Sequence, residues 1–185
     1  MPISLSHFEI KVRDLARMES FYTGTLGFVA TDRSAGGGGQ MVFLSGNAGE
    51  HHQIVLAEED AGSFAAGSLD HLAFRVGDLG ELRSYHGRLR AYGNLTLETV
   101  SHGTSWSVYF RDPEGNRIEL FVDTPWHVAQ PLRFPIDLAM DDDELIAWTE
   151  EQISSLADFA PADRWFRGHA ENLAPDPDLP KGQPR

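Results

Sequence analysis

Cysteine is absent from this 185-residue chain, which removes disulfide frameworks, thiolate metal sites and cysteine nucleophiles together. Any metal must then be held by histidine and carboxylate. Long apolar runs are also missing, since none reaches the roughly 18 residues needed to span a bilayer. The opening MPISLSHFEI lacks the basic segment and apolar core of a secretory signal. A soluble, cytoplasmic protein with no membrane partner is expected. Basic charge is scarce: 15 Lys and Arg stand against 28 Asp and Glu, a formal net charge of −13. No basic face offsets the acidic residues, so nucleic acid is excluded as an expected partner. Two glycine and acid clusters also lack what their functional namesakes require. The Gly36 to Gly39 run has no following Lys-Ser/Thr of a phosphate loop. The 141-DDDE-144 run has no spaced ligands or glycine of a calcium loop.

Hydrophobic residues make up 41% of the chain, enough for one compact core. Self-similarity organises the first two thirds. Set above 69-LDHLAFRVGDLGELRSYH-86, the stretch 5-LSHFEIKVRDLARMESFY-22 aligns without a gap at an offset of 64, so His7 falls on His71, Val12 on Val76, Asp14 on Asp78 and Phe21 on Tyr85. Each copy reads as an alternating strand, a capping Asp and a helix. The first helix, Leu15 to Leu26, stops at Gly27. Strands follow at 28–33, 40–45 and 52–58 in the first copy, and at 95–101, 105–111 and 117–122 in the second, the last two joined by the turn 112-DPEGN-116. The unit is βαβββ, twice, and the fold class is α+β.

The expected domain is 1–123, with repeats over about 4–58 and 68–123. Residues 124–185 form an extension with one helix over 142–157 and a Pro-rich, disordered end from 173.

Histidines at equivalent points of two related halves can converge on a shared face, which makes His7 and His71 candidate metal ligands. Glu119, in 117-RIELF-121, is a carboxylate inside an apolar strand, where unpaired burial would be costly. Two imidazoles and a carboxylate suit non-haem Fe(II) and leave positions open for substrate and dioxygen. Position 55, which is 119 less 64, holds Val55, which cannot ligate, so a symmetric four-ligand site is excluded.

The motifs 6-SHFEIKVRDL-15, 21-FYTGTLGF-28, 50-EHHQIVL-56, 69-LDHLAFRV-76 and 102-HGTSWSVYFRDPEGNRIELFVD-123 resemble the vicinal oxygen chelate superfamily. More narrowly, they resemble single-module extradiol ring-cleaving dioxygenases related to 2,3-dihydroxybiphenyl and catechol dioxygenases. The resemblance covers residues 4–123 and is most specific in the last motif, where Tyr109 precedes Glu119 by ten residues. It implies paired modules around a metal, with His7, His71 and Glu119 holding Fe(II), or Mn(II) as the other fitting ion. It implies that Tyr109 bonds a substrate oxygen and that His102 lines the pocket and sets the protonation of a catechol, while O2 is the second substrate. It also implies an acid–base histidine at the head of the fourth strand. Strict alternation counted back from Val55 selects His51, whereas the family pattern selects His52; the family pattern is preferred because 46-GNAGE-50 reads as a loop.

Two other functions compete. A metalloenzyme of the same fold, such as a fosfomycin-modifying transferase, also uses two His and one Glu, but does not require the extra histidines His52 and His102. A metal-free binding module of the bleomycin-sequestering kind needs none of the three ligands. Trp126 and His127 could roof the pocket, and the extension could cover its mouth or form a subunit interface. Unpaired strand edges make a homo-oligomer the expected state.

Overall fold

The computed structural model describes residues 5–36, 39–59 and 69–172. The expected disordered end from 173 lies outside the described residues. The two copies of the repeat fold as two modules of identical topology. In the first, β1 (Phe8–Val12), α1 (Leu15–Gly24), β2 (Val29–Gly36), β3 (Gly39–Ser45) and β4 (Ile54–Glu58) give a sheet in the order β1-β4-β3-β2. In the second, β5 (Leu72–Arg75), α2 (Leu79–Tyr92), β6 (Glu98–Ser101), β7 (Ser105–Arg111) and β8 (Arg117–Asp123) repeat the order as β5-β8-β7-β6. In both sheets the first strand runs parallel to the fourth and the remaining pairs are antiparallel. The repeat extends to register: Glu9 pairs with Val55 and Ala73 with Glu119, the same two places 64 residues apart.

Each helix starts where an aspartate can accept from the first turn's free N–H groups. Asp14 accepts from the Arg17 amide at 3.0 Å and Asp78 from that of Glu81 at 2.7 Å. Leu15, Met18, Phe21 and Tyr22 put one face of α1 into the core, which also takes Trp106, Val108 and Phe110 of β7 and Ile118, Leu120 and Val122 of β8. The intervening residues of those strands must then point to the opposite face. That face carries Ser105, Ser107, Tyr109, Arg117, Glu119 and Phe121.

The modules are joined by polar as well as apolar contacts. Tyr22 donates to Asp112 at 3.1 Å from within the core, while Glu114 accepts from the amides of Arg13 and Asp14 at 2.7 and 2.8 Å. Phe21 meets Phe110 and Phe28 meets Phe74. The 112-DPEGN-116 turn therefore anchors the first module's helix as well as turning the chain. Burial raises the Asp112 carboxyl above its ordinary range, against the hydrogen bonds from Asn116, Glu114 and Tyr22.

Several strands differ from expectation at their ends. The strand expected at 95–101 shortens to β6, because residues 95–97 form a connection from Gly93. The strand expected from His52 begins only at Ile54. The extension is more ordered than expected. Its Pro-containing part supplies β9 (Trp126–His127) and β10 (Phe134–Pro135), and β10 adds a fifth strand beside β6. Helix α3 (Asp142–Ile153) starts where the expected helix over 142–157 does but ends at Ile153, with Asp141 as its N-cap and Thr149 accepting from the Trp106 indole at 2.9 Å. Beyond it, β11 (Ala160–Pro161) pairs with β9 and leads into α4 (Ala162–Asn172), a helix that periodicity did not single out. Among the described residues no helix is long and apolar enough to cross a membrane.

Candidate metal and substrate site

β7 and β8 place Tyr109 directly across from Glu119, so the two side chains share the open face of the second sheet. Glu119 is only 7% exposed. Its Oε2 faces His71 Nε2 at 3.1 Å, and its Oε1 lies 4.0 Å from His102 Nε2. His71 stands one residue before β5, the strand that runs alongside β8, which explains how the two groups meet.

The other side of the His71 ring is held by a residue that the sequence reading did not select. Asp70 approaches His71 Nδ1 at 2.7 Å and also accepts from Arg117 at 2.9 Å. The hydrogen bond to His71, opposed by desolvation and aided by the charge of Arg117, holds the Asp70 carboxyl below its usual range. An ionised Asp70 can only accept, so Nδ1 carries a proton and Nε2 is the nitrogen directed at Glu119. The facing Nε2 and carboxylate require either a shared proton or a cation between them. A divalent cation fits this donor pair, and Asp70 supplies the outer hydrogen bond that orients a ligating imidazole. The adjacent Asp-His in 69-LDHLAF-74 was the available signal. Asp70→Ala should lower the affinity for a divalent cation about 10- to 100-fold, read by chelator competition, with the thermal midpoint unmoved. An affinity within twofold of wild type would remove the positioning role.

His102 and Tyr109 form a second pair. His102 Nδ1 lies 2.7 Å from the Leu132 carbonyl, which can only accept, so this nitrogen is the protonated one. His102 Nε2 is then an acceptor for the Tyr109 hydroxyl at 3.0 Å. Burial, then the neighbouring Glu119 carboxylate, push the Tyr109 phenol well up, partly offset by Arg117 and Arg133. Tyr109 therefore stays protonated and serves as a hydrogen-bond donor. Arg117 and Arg133 stack over its ring at 4.5 and 5.2 Å. Leu132 and Arg133 belong to the extension, as does Gln130, which donates to the His102 carbonyl at 2.8 Å. Tertiary structure thus assigns the extension a bracing role at the site.

The remaining candidates stand on the first sheet. His7 precedes β1, and its ring lies 4.5 Å from that of His52. His52 meets Phe43 edge to face at 5.2 Å, and its Nδ1 is 3.0 Å from that of His51. Burial, then His7 and His51, lowers the His52 pKa. Among the described residues no group of three or more His, Asp or Glu could hold a metal ion as placed. The structure brings His71 to Glu119 and His7 to His52, and does not bring His7 into the first pair.

Comparison with known proteins places these features in a family. A model described as the Glyoxalase/Bleomycin resistance protein/Dioxygenase superfamily matches residues 4–120. Biphenyl-2,3-diol 1,2-dioxygenase 3 of Rhodococcus globerulus is 34% identical over 125 residues, covering 64% of this chain and 63% of that one. Catechol-2,3-dioxygenase of Bacillus subtilis (strain 168) is 29% identical over 128 residues, 65% of this chain and 42% of that one. The chain thus spans less than two thirds of the length of either relative. Among solved structures, a glyoxylase/bleomycin resistance protein/dioxygenase domain from Frankia sp. EAN1pec superposes with a TM-score of 0.59 at 25% identity, over 67% of this chain and 94% of that one. A variant of the fosfomycin resistance protein FosX from Listeria monocytogenes, crystallised with Mn(II) and 1S,2S-dihydroxypropylphosphonic acid, does so with 0.52 at 25% identity, over 67% and 93%.

Proposed function

The chain belongs to the Glyoxalase/Bleomycin resistance protein/Dioxygenase superfamily, and within it we propose an Fe(II)-dependent extradiol dioxygenase that opens the ring of a catechol-type diol. The observation that carries this reading is the constellation on the second sheet. A buried Glu119 faces an oriented His71 nitrogen, beside a protonated Tyr109 hydroxyl bonded to His102. The dioxygenase relatives support the reaction class, and the donor set suits Fe(II), with Mn(II) as an ion of similar ligand taste.

His71, Glu119 and His7 are the ligand set. Iron, when bound, supplies the O2 chemistry that side chains cannot perform. Tyr109 donates a hydrogen bond to one diol oxygen and fixes the ring's orientation. When Tyr109 exchanges its hydrogen bond to His102 for the one to the diol, the freed His102 Nε2 is the acceptor that draws a proton from the diol. His52, alongside His7, moves a proton at the oxygen side of the site.

His7 reaches the set through a second copy of the chain. β1 and β5 occupy equivalent sheet edges, and two residues before each histidine stands a leucine left in solvent, Leu5 at 72% and Leu69 at 70% exposure. A two-fold pair of chains covers both leucines and sets each copy's His7 against the other's His71 and Glu119. Cytoplasmic aromatic catabolism is the setting this activity implies.

Anaerobic loading with Fe(II), followed by aerobic addition of catechol, 3-methylcatechol and 2,3-dihydroxybiphenyl, should yield a yellow ring-fission product and consume one O2 per diol. Stoichiometric iron binding with no diol consumed would remove the dioxygenase reading and leave a different metalloenzyme of this fold.

A further inference from the structure

Helix α4 and the stretch before it lie outside the matched residues 4–120, yet they build a cleft on the same face as Glu119. The cleft encloses about 340 Å³ and is lined by Phe121, Trp126, His127, Trp165 and Phe166, with Ser105 at its edge. Phe121 is two residues from Glu119 along β8 and shares its side of the sheet, so the cleft begins about 7 Å further along the strand. Trp165 and Phe166 are 38% and 54% exposed. Large aromatic rings left this open in an otherwise polar helix mark a recognition surface rather than a core.

The geometry of the walls narrows what can lie there. Trp165 stacks on His127 with centroids 4.4 Å apart and planes 12° from parallel, and Phe166 stands edge-on to Trp165 at 5.2 Å. The backbone secures this arrangement, because β11 pairs with β9 at Ala160 and His127, and the Ala162 amide donates to the Pro125 carbonyl at 2.9 Å. At the rim, Arg75 and Asp123 neutralise one another at 3.0 Å, and the Arg75 guanidinium lies over the Phe121 ring at 5.1 Å. A slot of aromatic faces and edges with a neutralised rim suits a flat, uncharged ring. We propose that this cleft binds a second aromatic ring of the substrate, so that the preferred diol carries an aryl group beside its hydroxyls and Trp165 and Phe166 determine that preference.

The inference rests on the dioxygenase reading, and its test separates the two. kcat/KM is measured for 2,3-dihydroxybiphenyl and for catechol with wild type, Trp165→Ala and Phe166→Ala, each checked for folding by its thermal midpoint. The ratio of the two-ring to the one-ring value should fall about tenfold in Trp165→Ala and by a smaller factor in Phe166→Ala, chiefly through KM for the two-ring diol. An unchanged ratio in both variants overturns the inference. If wild type opens neither diol, the dioxygenase reading has failed, and the cleft is tested alone with 2-hydroxybiphenyl, which has no vicinal diol to cleave. Quenching of tryptophan fluorescence by this probe in wild type, weakened in Phe166→Ala, still supports an aryl cleft; no saturable quenching in wild type overturns it.

Discussion

Mixing His7→Ala chains with Glu119→Ala chains should restore a ring-cleaving activity that neither variant possesses alone. In the proposed ligand set each substitution removes one of three donors, and the loss of the cation's contribution should lower kcat/KM by about three orders of magnitude. The restoration follows from where the donors stand. His71 and Glu119 face each other at 3.1 Å on the second sheet, whereas His7 sits beside His52 on the first. On the proposed sharing of donors, in which the partner supplies His7, a mixed dimer holds one site with all three donors and one site lacking two. Random exchange makes half of the dimers mixed, so activity should return to about a quarter of wild type. No restoration after subunit exchange, verified by native mass spectrometry, would mean that a single chain closes its own site. Metal retention in Glu119→Ala alone would mean that the donor set is wrong.

His52→Gln should lower kcat by about 10²- to 10⁴-fold, the usual contribution of a positioned acid–base group, with iron content per chain kept. His51→Gln should lower it far less. Alternation along a strand would have selected His51, but alternation applies only within the pleat, and β4 begins at Ile54. Both histidines therefore stand in the approach to the strand, where neighbours decide direction. His52 is half-buried between His7 and Phe43, while His51 is exposed and reaches it through a 3.0 Å contact between ring nitrogens. Comparable losses in the two variants, or iron lost from His52→Gln, would defeat the asymmetry.

The repeat made much of the architecture legible. An ungapped offset of 64 carried the strand order, both helix caps and even the register in which Val55 and Glu119 occupy matching places. Such features depend on contacts near in sequence and on side-chain period, which a linear pattern records. Asp70 was hidden because nothing in the pattern distinguishes a solvated aspartate from one that orients an imidazole; only the 2.7 Å approach to His71 does so. Helix α4 was hidden for a different reason. Its two aromatic rings are defined by what they meet, His127 from β9, and pairing between β9 and β11 is a long-range event.

By itself the sequence determined the two βαβββ modules, the absence of any thiol chemistry, and the residue types open to a metal: histidine and one carboxylate on a matched pair of strands. Periodicity, caps and composition are local, and they survive without knowledge of distant neighbours. Only the tertiary structure decided which candidates meet. It joined His71 to Glu119 and His102 to Tyr109, set His7 apart with His52, and folded the extension back over the open face. Those outcomes depend on how two sheets and a returning chain pack, which no spacing along the chain encodes.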